Sequence, residues 1–121
     1  MPTRYFLCHR EDLEVGAMRA FRVGGVQIVL CRTRDAFHAL RDLCPHHGAH
    51  LSQGRLTGTN LPSAVGELVY GRDGEVLRCP RHGWEIDVLS GRSLHDPERK
   101  RVKVYRVVEQ GDDVLVEMDA R

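Results

Sequence analysis

Several things are scarce in this chain of 121 residues, and each scarcity excludes a class of protein. Neither charge dominates: 18 basic residues stand against 17 acidic ones, for a formal net charge of +1. That balance gives no electrostatic case for nucleic acid or for an anionic membrane surface. Long apolar runs are missing as well. The longest, Val26 to Cys31, is short and broken by Gln27, far from the ~20 residues a bilayer-spanning helix needs. The first ten residues, from Met1 to Arg10, hold no apolar core of the secretory kind. The expectation is a soluble, cytoplasmic protein without a membrane partner. Four cysteines, Cys8, Cys31, Cys44 and Cys79, are too few for a disulfide-dense secreted scaffold. Metal binding is the better expectation for some of them, and buried apolar thiols for Cys8 and Cys31. The length suits one domain, 1–121, with no room for a second that carries its own active site.

What is present reads mostly with a period of two, the signature of strands. Apolar alternation marks Arg4 to Cys8, Ala17 to Val23, Val26 to Arg32, Ala36 to Arg41, Val102 to Glu109 and Val114 to Met118. Gly24-Gly25 joins the second and third of these, and a Gly-Gly pair supplies the positive φ angles of a two-residue hairpin turn. Gln110-Gly111-Asp112-Asp113 marks a second hairpin near the end. No segment sustains a 3.6-residue apolar stripe. The fold class is all-β, with little helix.

Residues 42 to 97 differ. They are rich in Gly, Pro, His and Ser, with short strand signals only at Leu68 to Tyr70, Val76 to Arg78 and Glu85 to Leu89. A loop-rich stretch inside a small domain is usually functional or stapled by something other than an apolar core. Two segments supply the staple: Cys44-Pro45-His46-His47-Gly48 and Cys79-Pro80-Arg81-His82-Gly83, both of the form Cys-Pro-x-His-Gly. A thiolate and an imidazole two or three residues apart reach one metal from a tight loop. The prolines stiffen each turn, and the glycines permit backbone angles that a side chain opposes. Two such loops imply a centre with two Cys and two His ligands. Zinc accepts such a set, and a zinc-stabilised interaction module is one reading. The other is a [2Fe–2S] cluster with thiolates on one iron and imidazoles on the other. Two ferric ions, two sulfides and two thiolates sum to zero charge, whereas four thiolates leave the centre at minus two. The neutral centre accepts an electron more readily, at about −150 to +300 mV.

These loops and their flanks resemble the Rieske iron–sulfur proteins. Val23-Gly24-Gly25 and Ala36-Phe37-His38-Ala39-Leu40 before the first loop carry the resemblance. So do Leu51-Ser52-Gln53-Gly54 after it, and Gly83-Trp84-Glu85-Ile86-Asp87 with Ser90-Gly91 around the second. The resemblance implies a Rieske-type fold of three stacked antiparallel sheets, one [2Fe–2S] cluster in a cluster-binding subdomain of about 42–97, and Cys44, His46, Cys79 and His82 as ligands. The internal repeat pairs His47 with His82. The family pattern, Cys-x-His then Cys-x-x-His, takes His46 instead. High-potential members carry an extra cysteine in each loop. Those positions are Ala49 and Arg81 here, and Ile86 stands where a hydroxyl would raise the potential, so the resemblance implies a low-potential Rieske-type ferredoxin.

The function expected from this resemblance is a one-electron carrier, not an enzyme, between a reductase and a Rieske-type non-haem iron oxygenase. Docking would be transient and near the cluster loops, with no nucleic acid involved. A small Rieske subunit of a larger reductase, such as assimilatory nitrite reductase, is the alternative. Asp42, His46 and His50 make only a superficial two-His, one-carboxylate set, because His46 is already committed. Trp84 reads as core packing, Arg81 as a surface cation, and His9, His38, His50 and His95 as surface or strand histidines. Asp96 to Arg101 reads as a solvated loop, with a docking patch as the minority alternative. The 32 residues from His47 to Arg78 exceed the usual separation of the two motifs, the excess falling between Thr57 and Gly74. Added loop length costs little, so this insertion is expected to leave the fold intact and either shape the partner surface or cover part of the cluster.

Overall fold

The computed structural model describes residues 2–45, 48–61, 69–81 and 83–119, with backbone alone at 59–61 and 69–73. Among these, nine strands form two antiparallel sheets. The strands are β1 (Pro2–His9), β2 (Met18–Val23), β3 (Val26–Arg32), β4 (Phe37–Arg41), β5 (Arg55–Leu61), β6 (Val69–Arg78), β7 (Glu85–Asp87), β8 (Val104–Gln110) and β9 (Asp113–Asp119). Helix among the described residues is limited to two single 3₁₀ turns, Arg10–Asp12 and Leu51–Gln53. The large sheet runs β1-β9-β8-β4-β3-β2 and the small one β5-β6-β7. The three sheets expected from the resemblance are therefore two. Short pairings of Ala39 with Tyr105 and Leu40 with Val104 join β4 to β8 and fuse two of the expected layers.

Both hairpins expected from the sequence form. Gly24 and Gly25 take φ angles of 55° and 80°, and Val23 pairs with Val26 across them. Gly111, at φ 59°, turns the chain between Gln110 and Asp113. β3 explains its own apolar run. Ile28 and Leu30 face one core with Phe37, Ala39, Val114 and Val116. Val29 and Cys31 face a second with Leu40, Leu51, Leu77, Ile86 and Val88. A strand buried on both faces needs apolar side chains at consecutive positions, and these four are fully buried. β3 and β4 thus form the wall between the base of the molecule and the part that carries the two loops.

The insertion departs from its reading as loop. β5 carries no strong strand signal, and β6 spans the two short segments read from the sequence as one strand of ten residues. Arg55, Leu56 and Thr57 pair with Arg78, Leu77 and Val76 near the site, and Thr59 to Leu61 pair with Gly71 to Val69 farther out. Between these stretches, residues 72–75 of β6 lie opposite Gly58 alone. Such an excess interrupts and bends the ladder, and Gly74 takes a φ of 80° within it. The excess residues therefore lengthen a hairpin. Pro62 and Ser63 lie outside the described residues.

Candidate metal centre

The two cysteine loops close alike. In the first, the Cys44 amide donates to the Ala49 carbonyl at 2.7 Å and the Gly48 amide donates to the Cys44 carbonyl at 2.9 Å. In the second, the Cys79 amide donates to the Trp84 carbonyl at 2.8 Å and the Gly83 amide donates to the Cys79 carbonyl at 3.2 Å. Gly48 and Gly83 take φ angles of 71° and 68°, a region open to glycine and strained for other residues. The repeat seen in the sequence is thus a repeat of backbone structure. Both cysteines are 2% exposed and share the second apolar core. None of the four cysteines is in a disulfide.

Each loop is fixed at its neck. The second is the β6–β7 turn, with Arg78 paired to Glu85 in the ladder and joined to it by a 3.0 Å side-chain ion pair. The first hangs on Asp42, whose side chain is fully buried. The Ser52 amide donates to its Oδ1 at 2.7 Å, while the Ser52 hydroxyl and Gln27 Nε2 donate to Oδ2 at 2.6 and 2.7 Å. This carboxylate ties the end of β4, the start of β3 and the 3₁₀ turn after the loop into one anchor. Asp42 is therefore a staple, and His50 has its Nδ1 3.2 Å from the Asp42 carbonyl.

Gly54 sets the distance between the loops. A Cβ placed on it would lie 1.9 Å from the carbonyl oxygen of Arg78, the residue before Cys79. The exit of the first loop therefore lies directly against the approach to the second. Trp84 packs against the second core, as read from the sequence, and its ring meets that of His95 edge-on at 4.6 Å. Arg81 is exposed, and Ile86 is fully buried. His46, His47 and His82 lie outside the described residues.

Three features escaped the sequence reading. The Asp42 anchor joins partners 10 and 15 residues away, a separation without local pattern. His95 packs on Trp84, and His38 is half-buried near Asp87 and Glu75. Burial, the largest influence, lowers the pKa of His38, and the two carboxylates partly oppose that shift. Burial likewise pushes the Cys31 thiol far up, helped by Asp42, and raises that of Cys8. Both are buried in the apolar cores, as expected.

Two buried cysteines in twin glycine-closed turns, brought to one core by an antiparallel β scaffold, are the arrangement of a thiolate metal centre. The donor chemistry fits the cluster: paired thiols are shielded from water, with a histidine two or three residues past each in sequence. The Rieske [2Fe-2S] domain model matches residues 3–106, and the chain belongs to that family. It carries one [2Fe–2S] cluster.

Ferredoxin CarAc of Metapseudomonas resinovorans is 31% identical over 111 residues, 91% of this chain and 89% of that protein. The ferredoxin in the complex of reduced oxygenase and oxidized ferredoxin of carbazole 1,9a-dioxygenase matches with a TM-score of 0.73. It is 29% identical, with 93% of this chain and 91% of that chain covered. A Mycobacterium tuberculosis chain assigned to the small subunit of an NADH-dependent nitrite reductase shares the fold. Its TM-score is 0.78 at 22% identity, covering 100% of this chain and 99% of that one.

Proposed function

We propose that the chain is a one-electron carrier, without catalysis of its own, that moves electrons from a reductase to a Rieske-type non-haem iron oxygenase. The observation that carries this reading is the pair of identically closed cysteine loops in a chain with near-full-length likeness to oxygenase ferredoxins. Cys44 and Cys79 would hold one iron, and His46 and His82 the other. His46 is chosen by the family pattern, although the sequence repeat pairs His47 with His82. Residues 42–97 would be the cluster-binding subdomain of a single domain, working in the cytoplasm.

The bound cluster supplies reversible one-electron chemistry, and the chain's own residues keep it selective. The Asp42 anchor and the Arg78–Glu85 pair hold the loop necks. Leu51, Leu77, Ile86 and Val88, all fully buried, line the apolar floor beneath the cysteines and exclude water. Ile86 offers no hydroxyl to donate toward the sulfurs, and Ala49 and Arg81 allow no disulfide across the loops. These features support a reduction potential toward the lower end of about −150 to +300 mV.

The test is anaerobic single-turnover transfer. Reduced protein mixed with an oxidised Rieske oxygenase should be reoxidised within the oxygenase's turnover time and need only transient contact. Stable co-purification with a larger nitrite reductase subunit would instead favour the fixed-subunit reading that the nitrite-reductase fold likeness raises. A redox titration above about +100 mV would contradict the low-potential reading.

A further inference from the structure

The segment after β7 is a small basic hairpin pressed against the second cysteine loop. The Leu94 amide donates to the Glu85 carbonyl at 2.9 Å, and Ile86 pairs with Ser93. The chain turns at Asp96, whose carbonyl accepts from Lys100 at 2.9 Å, and returns so that Arg92 and Arg101 oppose each other. Gly91, Ser93 and Val102 are buried, which turns Arg92 and Arg101 outward on one face. Like charges directly opposite destabilise a ladder, yet here they stand together with Arg99 and Lys100. All four cations are exposed, and among the described residues none of them forms an ion pair. Two acids, Asp96 and Glu98, lie in the same hairpin. Elsewhere Arg4, Arg10 and Arg78 each pair with a glutamate.

This hairpin touches the redox site. His95 packs on Trp84 at 4.6 Å, and an open cleft of about 360 Å³ lies beside the pair, lined by Gly83, Trp84, Glu85, Leu94 and His95. We infer that the 91–102 hairpin is a docking arm for the acidic face of a protein redox partner, with the cleft beside Trp84 receiving a side chain from that partner. The inference rests on the electron-carrier reading. It also revises what the net charge of +1 suggests, because a near-neutral total conceals a basic patch beside the cluster loops. A patch of this size steers encounter and register more than it adds affinity.

The test uses the cluster-loaded protein, an acidic flavodoxin as electron donor and basic cytochrome c as acceptor. One electron passes from dithionite-reduced flavodoxin to the oxidised protein, or from the reduced protein to ferric cytochrome c. The variant R92E/R101E keeps a like-charge pair across the bridge, so its fold should survive. R22E/R34E makes the same change in net charge at exposed positions on β2 and in the β3–β4 turn. The flavodoxin rate constant should fall about tenfold in R92E/R101E and stay within about twofold in the control. It should also fall as salt rises from about 20 to 300 mM. The cytochrome c rate should not fall in R92E/R101E. Equal loss in both variants, or none in either, overturns the docking arm. Normal one-electron reduction by dithionite in both variants would show that the carrier reading survives that result. Failure of the unmodified protein to accept an electron from dithionite overturns both readings. Oligonucleotide binding that is lost in R92E/R101E while flavodoxin rates are unchanged also overturns the inference, in favour of nucleic acid.

Discussion

Replacing Asp42 with alanine should be the most damaging change outside the ligands, and its size can be worked from the anchor. The carboxylate receives hydrogen bonds from the Ser52 amide, the Ser52 hydroxyl and Gln27 Nε2, all between 2.6 and 2.7 Å, and its side chain is fully buried. Hydrogen bonds to charged groups each contribute about 1.5–3 kcal/mol. Removing the acceptor also strands the Ser52 amide, at about 1–3 kcal/mol for a buried unsatisfied donor. These contributions are not additive, and together they should come to about 3–5 kcal/mol. In a domain of this size each kcal/mol shifts Tm by about 3–5 °C, so Asp42→Ala should melt about 10–20 °C lower by far-UV circular dichroism. Ser52→Ala removes only the hydroxyl and should cost about 1–2 kcal/mol. The double variant should fall short of the sum of the two by at least about 1 kcal/mol, because both changes break one network. An Asp42→Ala melt within about 2 °C of the unmodified protein, or strict additivity with Ser52→Ala, would refute the staple.

Other expectations follow from single observations. Gly54→Ala would drive a Cβ to 1.9 Å from the Arg78 carbonyl, a backbone clash that should cost about 1–3 kcal/mol and lower iron content by separating the two loops; full iron loading with an unchanged melt would contradict it. The folded-state pKa of His38 is depressed, so between that value and the ordinary 6.5 the unfolded chain binds more protons than the folded one. Its contribution is therefore intact above about pH 6.5 and is lost as pH falls toward the folded value. The urea midpoint should drop more from about pH 7.5 to 5.5 in the unmodified protein than in His38→Gln; equal drops would refute it. Cys31 is fully buried and its thiol is pushed far up, so it should resist iodoacetamide at about pH 8 in the native protein and react in urea; rapid native labelling at Cys31 would count against the second core.

The parts of the fold that could be read from sequence are those where a local signal and the tertiary structure agree. Gly24-Gly25 and Gly111 set hairpins by their positive φ angles. Val26–Arg32 shows its bounds because it is buried on both faces. The twin Cys-Pro-x-His-Gly loops were legible because each closes on itself within five residues. β5 was not legible: Arg55–Leu61 contains Gly58 and Asn60 and becomes a strand by pairing with β6. The interruption opposite Gly58 split β6 into two apparent pieces for the same reason. Gln27, Asp42 and Ser52 meet only once the sheet is built, so no spacing rule finds them. Gly54 appeared in the sequence as part of a family-like segment, while its purpose, room for the Arg78 carbonyl, appears only in three dimensions.

The ligand set is tested most directly by pulsed electron paramagnetic resonance of the dithionite-reduced protein, with ¹⁵N-histidine labelling, in the unmodified chain and in His46→Ala, His47→Ala and His82→Ala. The account predicts couplings to two directly bound imidazole nitrogens in the unmodified protein and in His47→Ala. It predicts loss of a coupling, or of the cluster itself, in His46→Ala and His82→Ala. A reduced cluster without bound nitrogen, or an intact signal in His46→Ala with its loss in His47→Ala, would contradict it.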